Sequence, residues 1–198
     1  MDPTQTLALA TMTGLLYGTP GPAVLSLAAA GGSFGVRRSL PYLAGILIGL
    51  ATNLAIAALG LAVLFTRYPA LGSAFRIASV AYVFYLAFKL MRPTLDAGGE
   101  PRPPRFVDGL VLNVINPKAY MAALMVLAAF ADTRASDGRT LVWTICVAFG
   151  VGVVIDVAWL SAGALLARAR TSGRTPRGWN AVFATSLVVS VLVSVYWI

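Results

Sequence analysis

Long apolar runs separated by short polar segments dominate the chain. Six runs are long enough for an α-helix to cross a bilayer, which takes about 20 residues, and they cover residues 4–31, 40–65, 70–91, 106–130, 141–167 and 179–196. Strands of a membrane barrel are about 10 residues long and alternate strictly between polar and apolar side chains, which these runs do not. The pattern therefore predicts an all-α integral membrane protein with six transmembrane helices.

Composition agrees with this pattern. Of the 198 residues, 59% are hydrophobic and 11% are charged, whereas about a quarter are charged in an ordinary soluble domain. A soluble core cannot bury that much apolar surface, which excludes a soluble enzyme. The net charge is +8, but the basic residues flank apolar runs, so orientation in the membrane and anionic lipid explain them better than nucleic acid does.

A segment rich in proline and glycine divides the chain into halves. Residues 92–108 read RPTLDAGGEPRPPRFVD, a composition typical of an extended or flexible linker. We predict a first three-helix repeat at residues 1–92, a linker at 93–105 and a second three-helix repeat at 106–198. Because each repeat has an odd number of spans, the second is expected to be inverted relative to the first.

The first and fourth spans are interrupted at matching places, by GTPGPA at residues 18–23 and by NVINPKA at 113–119. Proline removes a backbone donor and glycine lets the chain bend. The freed backbone groups are tolerated where they line a cavity, and the restarted helix presents a positive end that suits a carboxylate. Paired breaks in inverted repeats indicate the binding site of a secondary transporter, although a single proline is as easily a simple kink. The predicted substrate-binding residues in these breaks are Pro20, Gly21, Pro22, Asn113, Asn116 and Pro117.

The second and fifth spans also match each other. The second has Gly45, Gly49 and Asn53 four residues apart, and the fifth has Ala148, Gly152 and Asp156 at the same spacing. The glycines, together with Gly150, are expected at close helix contacts. Asn53 is a further predicted substrate-binding residue, with an interhelical hydrogen bond as the alternative.

Lys118 and Asp156 are the two charged residues deep within predicted spans. A charge at the bilayer centre costs about 2.5 to 3.5 kcal/mol on insertion scales, so such residues normally face the protein interior. We predict that Lys118 binds substrate and that Asp156, the only acidic residue deep in a span, couples transport to protons. Asp156 could also bind a substrate ammonium, either instead of a proton or in turn with it. A structural salt bridge between Lys118 and Asp156, or a lysine that reaches the interface, is the alternative.

The chain has no histidine and a single cysteine, Cys146. This excludes histidine-based catalysis, histidine-ligated zinc or haem and an internal disulfide bond. We therefore expect no cofactor and no metal, and we do not expect an enzyme.

The basic residues are distributed unequally between the two sides of the membrane. The loops after the first, third and fifth spans, counted with Lys89 at the end of the third span, hold ten arginines and lysines. The loops after the second and fourth, counted with Arg76 near the start of the third span, hold four. Because the richer loops normally face the cytoplasm, both termini are predicted to lie outside it.

Several motifs in order along the chain resemble those of the LysE/RhtB amino-acid exporters. They are the TPGPA stretch at residues 19–23, AYVFYLAFK at 81–89, FVDGL at 106–110 leading into NVINPKA, and Asp156 with Trp159. The resemblance implies export of amino acids or close derivatives across the bacterial cytoplasmic (inner) membrane, driven by the proton gradient and often by a homodimer. The alternatives are a small passive channel or a lipid scramblase with a similar number of helices.

Overall fold

The computed structural model describes residues 1–59, 102–131 and 138–168, together with 67–68, 70, 74, 77, 81 and 84–85. Within these residues it contains five α-helices and no β-strand, which confirms the all-α prediction. The predicted sixth span, and most of the third span and of the linker, lie outside the described residues. The helices are α1 (Pro3–Gly18), α2 (Pro22–Ala58), α3 (Phe106–Val114), α4 (Pro117–Phe130) and α5 (Arg139–Arg168).

The described helices suit a membrane. Helices α2 and α5 are each long and apolar enough to cross one, and α3 with α4 qualifies as a pair bent by 58°. The outer surface carries large apolar side chains: Leu7 is 68% exposed, Leu59 81% and Val154 68%. Such extensive exposure of leucine and valine is unfavourable in water and favourable in lipid.

Helix α2 folds back on itself at Gly35. This glycine has φ 75° and ψ 167°, and it separates two helical segments, residues 22–34 and 36–58. The Tyr42 hydroxyl donates a hydrogen bond of 2.7 Å to Ser26 Oγ, although 16 residues of straight helix would separate them by about 24 Å. The first segment therefore covers the end of the predicted first span, and the second segment covers most of the predicted second span.

Local sequence explains where the helices begin. At the start of α1, the Gln5 amide donates to Asp2 Oδ1 at 2.7 Å and the Asp2 amide donates to Gln5 Oε1 at 3.1 Å, a capping box. Helices α1, α2 and α4 all have proline at the first position, where the missing amide is not needed. At the start of α3, the Arg105 amide donates to Asp108 Oδ2 at 2.8 Å.

Glycines mark two close helix crossings. A Cβ atom at Gly45 in α2 would overlap the Phe106 carbonyl oxygen, and one at Gly109 in α3 would overlap that of Tyr42. The same reciprocal arrangement joins Gly31 in α2 to Gly163 in α5, where added Cβ atoms would overlap backbone carbonyl oxygens. Such contacts let helix backbones approach closely in a membrane.

The predicted close contacts at Gly45, Gly49 and Gly152 are confirmed, and the one at Gly150 is wrong. A Cβ atom at Gly49 would lie 2.7 Å from the Asn113 Cβ atom, and one at Gly152 would overlap the side chain of Leu50. Gly150 is exposed and has nothing within 4 Å of an added Cβ atom. It lies two residues before Gly152 and hence on a different face of α5.

The apolar core consists of two clusters. One contains Leu27, Tyr42 and Leu160 and joins both segments of α2 to α3 and α5. The other contains Leu9 and Val126 and joins α1, α2, α4 and α5. The helix breaks lie between these clusters, which provide a packed frame around them.

Candidate functional site

The first helix break lies between α1 and α2. Thr19 caps the end of α1, its amide donating to the Leu15 carbonyl at 3.3 Å. Gly21 is the N-cap of α2, with an extended backbone and no side-chain hydrogen bond to the first turn. Pro20 and Pro22 have no backbone N–H, so this break has few donors of its own.

The second helix break lies between α3 and α4 and is capped differently. The Asn116 amide donates to the Asn113 carbonyl at 3.2 Å. Asn116 Oδ1 then accepts a hydrogen bond of 3.1 Å from the Lys118 amide in the first turn of α4, with Pro117 at the first helical position. A side chain of this break therefore caps one of the free backbone amides in the first turn of α4.

The Lys118 side chain connects the two breaks. Its Nζ atom donates to the Thr19 carbonyl and, at 3.2 Å, to the Pro20 carbonyl. These carbonyls end α1, so a cation here is favoured by the negative end of that helix. A Cβ atom at Gly21 would lie 2.7 Å from Lys118 Cδ and 2.9 Å from Nζ, so glycine leaves room for the lysine.

A cavity of about 40 Å³ lies between the breaks; we call it the interhelical cavity. That volume holds a few water molecules. Its polar lining residues are Tyr17, Asn113, Asn116, Lys118 and Asp156. Its other lining residues are Leu16, Gly21, Ala23, Val24, Leu50, Ala119 and Gly152.

Asp156 is the buried acidic residue of this cavity. Its side chain is 6% exposed, and within the described ranges no group donates a hydrogen bond to it. Lys118 lines the same cavity but bonds to the carbonyls of the first break. The described part of the chain therefore contains no salt bridge between Lys118 and Asp156, which was the alternative.

Two asparagines join α2 to the end of α3. Asn53 Nδ2 donates to the Asn113 carbonyl at 2.7 Å, and Asn113 Nδ2 donates to the Ile46 carbonyl at 2.7 Å. Asn53 is fully buried and Asn113 is 2% exposed. Asn113 therefore lines the cavity, and Asn53 fixes the position of the Asn113 backbone through its hydrogen bond.

Replacement of Asn53 by alanine is expected to lower stability. The variant loses the bond to the Asn113 carbonyl, and interhelical hydrogen bonds in membranes contribute about 0.6 kcal/mol on average. The Asn113 carbonyl keeps the Asn116 amide as a donor, so the expected loss is that of one hydrogen bond. The midpoint of thermal unfolding in detergent should fall, and Thr52→Ala, at a partly exposed site on the same helix, is the control. An equal midpoint for Asn53→Ala and wild type would contradict the structural role.

The structure brings together only part of the predicted site. Gly21, Asn113, Asn116, Lys118 and Asp156 line one cavity, and their roles in binding or coupling stay predictions. Four other predicted residues lie outside the set of lining residues: Pro20, Pro22, Asn53 and Pro117.

Tyr17 was missed by the sequence reasoning. It lines the cavity, and its hydroxyl is buried without a hydrogen-bond partner in the part of the chain that the structure describes. The signal available in the sequence was its position just before the first break, where an aromatic residue with a polar end follows a run of apolar ones.

The chain is similar to known proteins over most of its length. Residues 15–196 match the LysE type translocator family. The cysteine/O-acetylserine efflux protein of Escherichia coli K12 is 30% identical over 175 residues, which are 85% of this chain and 87% of that protein. The protein of that name from Salmonella typhimurium is 29% identical over 174 residues, with the same coverage. The leucine efflux protein of Klebsiella pneumoniae is 28% identical over 123 residues, 59% of this chain and 58% of that protein. No solved structure matches the chain.

The family match extends over most of the chain and includes both helix breaks and the helix that carries Asp156. The apolar described helices agree with a protein embedded in a membrane. The chain therefore belongs to the LysE type translocator family and is a membrane transporter rather than an enzyme.

Proposed function

We propose that the protein exports amino acids or close derivatives from the bacterial cytoplasm by proton antiport. The observation that carries this proposal is the interhelical cavity, where an ammonium and a carboxylate side chain lie beside two interrupted helices. An amino acid carries both complementary charges. The names of the relatives, cysteine/O-acetylserine and leucine efflux proteins, support the same substrate class.

The substrate site in this proposal consists of residues that contact the substrate and residues that hold them in place. Gly21, Asn113, Asn116 and Lys118 line the cavity and contact the substrate. Pro20, Pro22, Asn53 and Pro117 shape the breaks and hold those residues in place. Asp156 carries the coupling proton, and Tyr17 and Lys118 are the other titratable groups of the cavity.

The proposed architecture is six transmembrane helices in two inverted repeats, residues 1–92 and 106–198, joined by a linker at 93–105. The matching breaks support it, since Gly21 and Asn116 are both N-caps followed by a proline. Gly49 lies against Asn113 beside the second break, and Gly152 lies against Tyr17 beside the first. A pseudo-twofold relation between the halves produces such paired contacts.

The proposal includes an orientation and an assembly. The protein lies in the bacterial cytoplasmic membrane with both termini outside the cytoplasm, because the loops after the odd-numbered spans are richer in arginine and lysine. We also propose a homodimer, on the basis of the family resemblance.

Uphill transport in liposomes tests the function. With the purified protein in vesicles that are acidic inside, protons leaving the lumen should drive labelled L-cysteine or L-leucine inward above the external concentration. Collapse of the pH gradient with a protonophore should abolish the accumulation. Flux that only equalises the concentrations, with or without the gradient, would indicate a passive channel, and movement of labelled lipid would indicate a scramblase.

A further inference from the structure

The two restarted helices differ at their N-termini. The first turn of α4 is capped, because Asn116 Oδ1 accepts a hydrogen bond from the Lys118 amide. In α2 the N-cap is Gly21, which has no side chain to serve as an acceptor, and among the described residues no other side chain caps that turn. The backbone amides of Ala23 and Val24, at the second and third positions of α2, therefore lack a capping acceptor.

The uncapped end of α2 faces the interhelical cavity beside a lysine. Ala23, Val24 and Lys118 are all lining residues. The Lys118 ammonium has three N–H donors, and the Thr19 and Pro20 carbonyls accept two of them, which leaves one for a ligand. A helix N-terminus and an ammonium group together attract a carboxylate.

The same cavity also contains unused acceptors. Asn113 is 2% exposed, its Nδ2 atom donates to the Ile46 carbonyl, and its Oδ1 atom has no hydrogen-bond partner among the described residues. Asp156 is 6% exposed and has no donor within the described ranges. A buried polar atom without a partner is costly, and a substrate ammonium would satisfy both groups.

We propose that the site binds a zwitterion in one orientation. The substrate carboxylate binds the amides of Ala23 and Val24 beside Lys118, and the substrate ammonium binds Asn113 Oδ1 and Asp156. The capped end of α4 is not a carboxylate site. This inference rests on the proposed function, and it defines the substrate class as free amino acids with both charges, which bind more tightly than the corresponding amines.

A pair of variants at Gly21 tests the placement of the carboxylate. Both Gly21→Ala and Gly21→Ser add a Cβ atom near Lys118, but only serine supplies a hydroxyl that caps the first turn of α2 and occupies its amides. Equilibrium binding of labelled L-cysteine and L-leucine to protein in nanodiscs is the measurement. We expect the Kd of Gly21→Ser to be about tenfold higher than that of Gly21→Ala, which means weaker binding.

Two controls make the comparison specific. The amines cysteamine and 3-methylbutylamine lack the carboxylate, so Gly21→Ser and Gly21→Ala should bind them alike. The same exchange at Gly14, where an added Cβ atom meets nothing within 4 Å, should give equal Kd values for the amino acids. Equal binding of the amino acids by the two Gly21 variants, or the same loss for the amines, would overturn the inference.

A second variant tests the inference if Gly21→Ser does not fold. Lys118→Gln keeps a donor for the Thr19 and Pro20 carbonyls but removes the positive charge, so amino acids should bind about tenfold more weakly and amines should not. An equal loss for both classes would contradict the proposed orientation. If the wild type binds neither amino acid, the proposed function fails and this inference with it. If it binds them but the variants do not discriminate, only the orientation fails.

Discussion

Replacement of Asp156 by asparagine is expected to abolish uphill export. Asp156 is the buried acidic residue of the interhelical cavity, and the described residues contain no salt bridge to it. Asparagine has almost the same shape and retains hydrogen-bonding capacity, but it cannot bind and release a proton. Accumulation driven by a pH gradient in proteoliposomes should therefore fall to the level of empty liposomes.

The Asp156→Asn variant should still exchange substrate, although with weaker binding, because its amide oxygen can accept a hydrogen bond from the substrate ammonium but carries no charge. Exchange of labelled for unlabelled amino acid across the membrane needs binding and the conformational change but no net proton movement, so it separates coupling from folding. Asp156→Glu, which keeps the titratable group on a longer stem, should retain part of the uphill activity. If Asp156→Asn accumulates substrate at the wild-type rate against a gradient, the carboxylate is not the coupling group, and a structural role beside the first break remains for it.

The helix breaks were predictable because proline and glycine act locally. Pro22 and Pro117 each remove a donor within an apolar run, and both occupy the first position of a restarted helix. The predicted fourth span, 106–130, has the same ends as α3 and α4 together, and the predicted fifth span lies within three residues of both ends of α5. Backbone chemistry of this kind does not depend on how helices pack.

The reversal at Gly35 was not predicted in its detail. The pattern predicts a separation between 31 and 40, with polar residues in between, whereas the helical segments continue almost to each other. A single residue with positive φ makes the turn, which glycine adopts at little cost. Several glycines lie in this region, and sequence alone does not distinguish which one adopts that conformation.

The hydrogen-bond partners of Lys118 also could not be predicted from the sequence. Its charge deep in a span predicts that it faces the interior, and it does line the cavity. Whether it meets Asp156, a substrate or a backbone carbonyl depends on the rotation of α4 relative to α1, which apolar periodicity defines poorly in helices that are apolar on every side. The uncapped carbonyls of Thr19 and Pro20 are a consequence of the first break and attract the ammonium.

Alanine at Gly45 or Gly31 is expected to destabilise the protein strongly. An added Cβ atom at Gly45 would overlap the Phe106 carbonyl oxygen and lie 2.8 Å from the Leu110 amide nitrogen. At Gly31 it would overlap the Leu160 carbonyl oxygen. These neighbours are backbone atoms, so whole helices must move apart, and overpacking typically costs about 1 to 3 kcal/mol or more.

The matched control is Gly150→Ala, which changes the same residue type in a helix but adds a Cβ atom with nothing within 4 Å. Alanine favours a helix over glycine by about 1 kcal/mol, so this variant should unfold at the wild-type temperature or slightly above it. The midpoint of thermal unfolding in detergent, with the yield of monodisperse protein, distinguishes the two classes. If Gly45→Ala and Gly31→Ala unfold at the same temperature as Gly150→Ala, the close crossings of α2 with α3 and α5 are not what hold the helices around the cavity.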